Sequence, residues 1–161
     1  MTQNNNNSLY KRLNRFTWLM DIYTDNFQRL MAMVEIKDLM PGVYFSEGQD
    51  GLLLSLEVLE RHNYTVEIKL SYTLQDEHTG ALDPSAMLRL YLDSKQCEAS
   101  HCYVGKRWQD VLGVRPNIAQ MLSHRLRMNS FLNKWLLYLK QQNHRKDTWF
   151  PEVCSEAFIE N

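Results

Sequence analysis

Residues 64–74, Tyr64-Thr65-Val66-Glu67-Ile68-Lys69-Leu70-Ser71-Tyr72-Thr73-Leu74, decide the fold. Apolar and polar residues alternate along the whole stretch. Successive strand side chains point to opposite faces, so this is a strand with one dry and one wet side. The preceding run places Leu52, Leu54, Leu56 and Val58 on one face. A three-residue loop, Arg61-His62-Asn63, would pair Val58 with Val66, Leu56 with Ile68, Leu54 with Leu70 and Leu52 with Tyr72. Asn63 then falls where positive φ is wanted, a conformation Asn tolerates. Upstream, Gly48-Gln49-Asp50-Gly51 is a turn signal. A four-residue loop there pairs Phe45 with Leu54 and Val43 with Leu56. Downstream, a two-residue turn at Ser94-Lys95 pairs Leu92 with Cys97, Leu90 with Ala99 and Leu88 with His101, which puts His101 on the dry face. The reading is a three-strand meander, an acidic loop over 75–85, and a hairpin.

Helical spacing brackets these strands. Leu13, Phe16, Met20, Tyr23, Phe27, Leu30 and Val34 follow a 3-4 seam, and Pro41-Gly42 stops it. The seam serves either one helix packed on the sheet or a dimer of such helices. Asn117 with Gln120 makes a box-like cap for a last helix. Ile118, Met121, Leu122, Met128, Leu132, Trp135, Leu136 and Leu139 form its apolar stripe, with Arg127 and Lys134 opposite. Arg125 and Asn129 fall inside the stripe, where a charged residue needs a partner. The expected fold is α+β: an antiparallel sheet of about five strands packed against an N-terminal and a C-terminal helix. Residues 1–8, with four consecutive Asn, read as a disordered tail, 9–146 as a single domain, and 147–161 as an acidic aromatic tail.

The chain has 161 residues, enough for one domain with its own core. No apolar run is long enough to span a bilayer, and Met1 to Ser8 lacks an apolar signal core. Cys97, Cys102 and Cys154 show no C-x-x-C spacing, which argues against a disulfide framework or a Cys-rich zinc site. These features lead us to expect reduced thiols, a cytoplasmic location and no membrane. The net charge of -1 hides a segregation. Between Ala99 and Lys146 nine Lys/Arg stand against the single acid Asp110, whereas Phe16 to Glu98 holds fourteen acids against six bases.

Arg89-Leu90-Tyr91-Leu92-Asp93 followed by Glu98, and Asn129-Ser130-Phe131-Leu132 with Trp135-Leu136 and Tyr138, resemble the YqiB-like family. The first helix, from Met20-Asp21 to Asn26-Phe27 and Arg29-Leu30, is similar to that family's too. The resemblance runs from about Leu19 to Asn143. It implies a small bacterial, cytoplasmic, single-domain protein carrying a domain of unknown function, and it supplies no activity, cofactor or catalytic residue.

Three places offer chemistry. Lys106, Arg107, Trp108 and Arg115, extended by Arg127 and Lys134, form a basic surface for an anionic partner, an acidic protein or a nucleic acid; Trp108 would stack on a base. Complementarity with the acidic half of the fold is the structural alternative. His101, Arg125 and Asn129 together suggest a polar pocket for a small molecule or an enzyme site, or an internal helix-to-sheet network. Arg89, Tyr91 and Glu98 form a wet-face patch that would hold a carboxylate or phosphate, or be a solvent-facing ladder. Asp76, Glu77, His78 and Asp83 are weak metal candidates, so no metal or cofactor is expected. There is no phosphate loop, G-x-S-x-G or H-E-x-x-H. The function expected is a non-catalytic binding module, monomer or homodimer, that engages an anionic partner.

Overall fold

The computed structural model describes residues 3–75, 77–103 and 115–153. The chain forms α1 (Gln3–Met33), a 3₁₀ turn (Ile36–Asp38), β1 (Gly42–Glu47), β2 (Leu53–Arg61), β3 (Thr65–Tyr72), β4 (Ser85–Tyr91), β5 (Gln96–Tyr103), α2 (Ile118–Gln141) and β6 (Trp149–Pro151). The strands make one antiparallel sheet in the order β5-β4-β3-β2-β1-β6. The architecture is the α+β one read from the sequence, with a sixth strand supplied by the aromatic segment after α2. Trp149 anchors that strand, its indole N–H donating to the Met33 carbonyl at 3.0 Å.

Both helices cover the same face. Phe27, Leu30 and Met33 of α1 and Leu132, Trp135, Leu136 and Leu139 of α2 share one core with Leu54, Leu56, Ile68, Leu70, Leu88 and Leu90 of the sheet. Burial of this kind is the main stabilising force, about 1.5–3 kcal/mol for each fully buried large apolar side chain. A polar seam joins the two helices. Buried Asn26 donates to the Asn129 carbonyl at 3.4 Å, and Asn133 donates to Asn26 Oδ1 at 3.0 Å and to Asp25 at 2.6 Å. The Asn117 capping box forms as read, with Gln120 N–H on Asn117 Oδ1 and Gln120 Oε1 on Asn117 N–H.

Three registers differ from the sequence reading, each for a local reason. In β2/β3, Leu56 faces Leu70 and Val58 faces Ile68, two residues from the expected pairing. A bulge between Val58 and Glu60 lengthens β2, so Arg61 stays in the strand and Asn63 is not among the residues of positive φ. Arg61 is held there by three carbonyls, those of Ile36, Lys37 and Leu39, at 2.6–3.0 Å. In β1/β2 the slip is one residue: Tyr44 faces Leu56 and Ser46 faces Leu54. A one-residue slip exchanges faces, so Ser46, not Phe45, points inward. Ser46 is fully buried because its hydroxyl meets His144 Nδ1 and Thr148 Oγ1, both at 2.7 Å.

The third difference matters most. In β4/β5 the turn takes four residues, Leu92 to Lys95, and Lys95 adopts φ 56°. Leu90 therefore faces Cys97, and Leu88 faces Ala99. A bulge follows, and Met87 faces His101. The extra residue turns His101 outward to solvent and brings Cys102 into the core.

Beyond the β5 edge the sheet no longer covers the helices. Leu13 and Phe16 of α1, and Ile118 and Met121 of α2, expected in the buried stripes, are exposed. Arg125, also expected inside, emerges there with its side chain 53% exposed.

Candidate functional site

The bulge in β5 and the overhang of the helices create one cleft from two candidate groups that the sequence kept apart. Arg89, Glu98, Ser100 and His101 reach it from the wet face and edge of the sheet, and His124 and Arg125 reach it from α2. Its volume is about 330 Å³. Asn129 is not in the cleft. It lies fully buried behind it, where Oδ1 accepts the Ala99 N–H at 2.7 Å and Nδ2 donates to the Arg125 carbonyl at 2.9 Å. Asn129 thus fixes the spacing between edge strand and helix, and so between Glu98 and Arg125.

The two guanidinium groups of the cleft each stand beside an acid, but not equally close. Among the described residues Glu98 is the one acid lining it, and its Oε1 accepts the Tyr91 hydroxyl at 2.8 Å. Arg125 approaches Glu98 only to 3.8 Å. For a half-exposed guanidinium such a contact contributes about 0–1 kcal/mol. Arg89 lies opposite Glu98 in the ladder and pairs with Glu67 across β3, through Nη2 at 2.7 Å and Nε at 2.9 Å. Burial, then the charges of Arg127 and Arg125, hold the His124 ring below its ordinary pKa, so it is neutral at pH 7. Burial and then Glu98 raise the Tyr23 phenol, and burial and then its hydrogen bond to Glu98 raise that of Tyr91; both remain hydroxyls. The cations of the cleft are the two guanidinium groups, Arg89 held closely by Glu67 and Arg125 only loosely approached by Glu98, with neutral donors around them.

Of the basic surface read from the sequence, Lys106, Arg107 and Trp108 lie outside the described residues. Arg115, Arg127 and Lys134 are exposed. Asp76 also lies outside, and among the described residues no group of three or more His, Cys, Asp or Glu is placed to hold a metal ion. A wider recess of about 670 Å³ meets the cleft at His101, under Gly80 to Leu82, and carries Lys69 and Tyr103. Among the described residues no helix is long and apolar enough to cross a membrane.

A family model described as "Protein of unknown function (DUF1249)" matches residues 29–145. The chain belongs to the DUF1249 family. The DUF1249 match takes in every residue of the cleft, together with Asn129 behind it. No curated protein and no solved structure matches the chain.

The sequence reading placed Ser100 with Arg89 and Glu98 on the wet face but missed His124 as a neighbour of this cleft. It also missed a network at the opposite end of the sheet that runs from exposed Tyr138 through Asp50 to buried Tyr72. There Asp50 accepts the hydroxyls of Tyr72 at 3.3 Å and Tyr138 at 3.1 Å, near the His144 ring that meets Ser46. Ser, His and Asp in proximity suggest nucleophilic catalysis, but Ser46 and His144 are 0% and 1% exposed. A substrate has no path to them, and the cluster ties β1 to the end of α2. Gly48 packs tightly beside it: a Cβ there would lie 2.8 Å from both Asp50 Oδ1 and His144 Nε2, so those side chains would have to shift.

Proposed function

We propose that the protein is a non-catalytic binding module whose cleft at the β5 edge receives an anionic group, a carboxylate or phosphate, between Arg89 and Arg125. One observation carries this reading: two guanidinium groups from different elements line one cleft, and that of Arg125 is half-exposed and only loosely approached by Glu98, although Arg89 is paired with Glu67. Arginine suits the task because its planar fork matches carboxylate and phosphate oxygens. His101 and Ser100 would add polar contacts at the rim. A bacterial, cytoplasmic setting belongs to this reading, supported by the resemblance to the YqiB-like group. Arg115, Arg127 and Lys134 would extend the surface if the anion were part of an acidic protein or a nucleic acid.

Inorganic phosphate tests the site. At ten times its Kd a ligand stabilises the native state by about 1.4 kcal/mol, roughly 3–6 °C in Tm for a chain of this size. Wild type should show a saturable rise, and Arg125→Gln should keep only the weak, unsaturable stabilisation that phosphate gives most proteins. An equal saturable rise in both, or none in wild type, would overturn the reading.

A further inference from the structure

Arg125 and Glu98 border two recesses, not one. On their other side, where α1 and the start of α2 overhang β5, lies a recess of about 490 Å³. Its chemistry is opposite to that of the cleft. Phe16, Leu19 and Met20 come from α1, and Met121 and Leu122 from α2. Leu19 is 3% exposed and forms the floor, whereas Phe16 and Met121 are 53% and 42% exposed at the rim. The polar neighbours are engaged with groups of the recess itself: Gln96 contacts Met20 Sδ at 3.9 Å, and Tyr91 donates to Glu98. An apolar surface left open beside a cationic cleft gains free energy when an apolar group covers it.

We infer that the anion received at Arg89 and Arg125 is the head of a small amphipathic molecule, whose apolar body lies in the recess over Leu19 between Phe16 and Leu122. This rests on the anion site proposed above and specifies its ligand. Arg125 belongs to both recesses, so head and body are contiguous at one side chain. A polyanion fits less well, because its charges would continue into a recess that, among the described residues, offers no cation beyond Arg125 and carries the acid Glu98. A bare phosphate would leave the apolar surface uncovered. The α1 wall, Phe16 to Met20, precedes the stretch that matches the family, while the head site lies within it.

The test is a calorimetric titration of the full chain with inorganic phosphate and with butyl, hexyl and octyl phosphate, each below its micelle concentration. Full burial of a methylene corresponds to about fourfold in affinity, and half burial to about twofold. Wild type should therefore tighten by about two- to fourfold per methylene. Phe16→Gln, at an exposed position that folding does not depend on, should flatten this slope and leave inorganic phosphate unchanged. Arg125→Gln should weaken every member of the series. Phosphate binding without a chain-length slope, or a slope that survives Phe16→Gln, would overturn the amphipathic ligand and leave the anion site standing. No binding at any length, or binding indifferent to Arg125→Gln, would overturn the anion site itself.

Discussion

Asn129→Ala should be the most damaging single polar substitution near the cleft. Asn129 is fully buried, and its Oδ1 is the partner of the Ala99 N–H on an edge strand at a position only 3% exposed. Removing it leaves a buried N–H unsatisfied, at about 1–3 kcal/mol. The Arg125 carbonyl loses the Nδ2 donor but keeps its place in the helix ladder, so that loss adds roughly 0.5 kcal/mol. With the space left by the amide, the total comes to about 2–4 kcal/mol. For a domain of this size that is roughly 4–16 °C in Tm. Urea unfolding followed by circular dichroism should show a lower midpoint with an unchanged slope. Asn129→Asp separates the two hydrogen bonds. A protonated Asp can donate to the Arg125 carbonyl, whereas a buried carboxylate facing that carbonyl is disfavoured. The folded-state pKa of the new acid should therefore lie above its unfolded value of about 3.9. Its deficit should be smallest near pH 4 and grow as pH rises through the folded pKa. A midpoint for Asn129→Ala within about 0.5 kcal/mol of wild type, as for a surface change, would refute the role given to this residue.

Two further outcomes follow from burial. Burial holds His144 below its ordinary pKa, with the Asp50 charge opposing, while the Ser46 and Thr148 hydroxyls and the Trp149 ring pack around that polar cluster. Below the unfolded-state value of about 6.5 the unfolded chain takes up a proton that the folded ring refuses. Stability should be level above that pH and fall beneath it, by at most about 1.4 kcal/mol per pH unit for this one group. His124 acts in the same direction, and His144→Gln should reduce the slope in pH-dependent urea melts. Burial pushes the Cys102 thiol up to about 12, and burial followed by the Glu98 charge raises that of Cys97. Mass spectrometry after iodoacetamide at pH 8 should find both unmodified in the folded protein and alkylated in urea.

The parts of the fold legible in the sequence are those where period and composition agree. The alternation over 64–74 gives β3 directly, and Asn117 with Gln120 gives the start of α2. What was hidden depends on single residues outvoting a pattern. Ser46 takes the inward place that Val43 and Phe45 would claim on hydrophobicity, because partners for its hydroxyl arrive from beyond α2. The β5 bulge did leave a trace: Cys97, Ala99 and Cys102 are spaced two and then three apart, where an unbroken strand keeps two. Read that way, His101 turns outward towards Arg89. A helical wheel cannot show where the sheet ends, so Arg125 looks interior on α2 and yet emerges past β5. A three-residue strand such as β6 carries too few positions for any period to register.

Amide chemical-shift mapping of the ¹⁵N-labelled protein during a phosphate titration at constant ionic strength tests the central claim most directly. Saturable shifts confined to 98–101 on β5, Arg89 on β4 and 121–125 on α2, and lost in Arg125→Gln, are what the account predicts. Shifts centred elsewhere, on the outer face of α2 around Arg127 and Lys134 or under Gly80 to Leu82, would contradict it, as would no saturable shift at all.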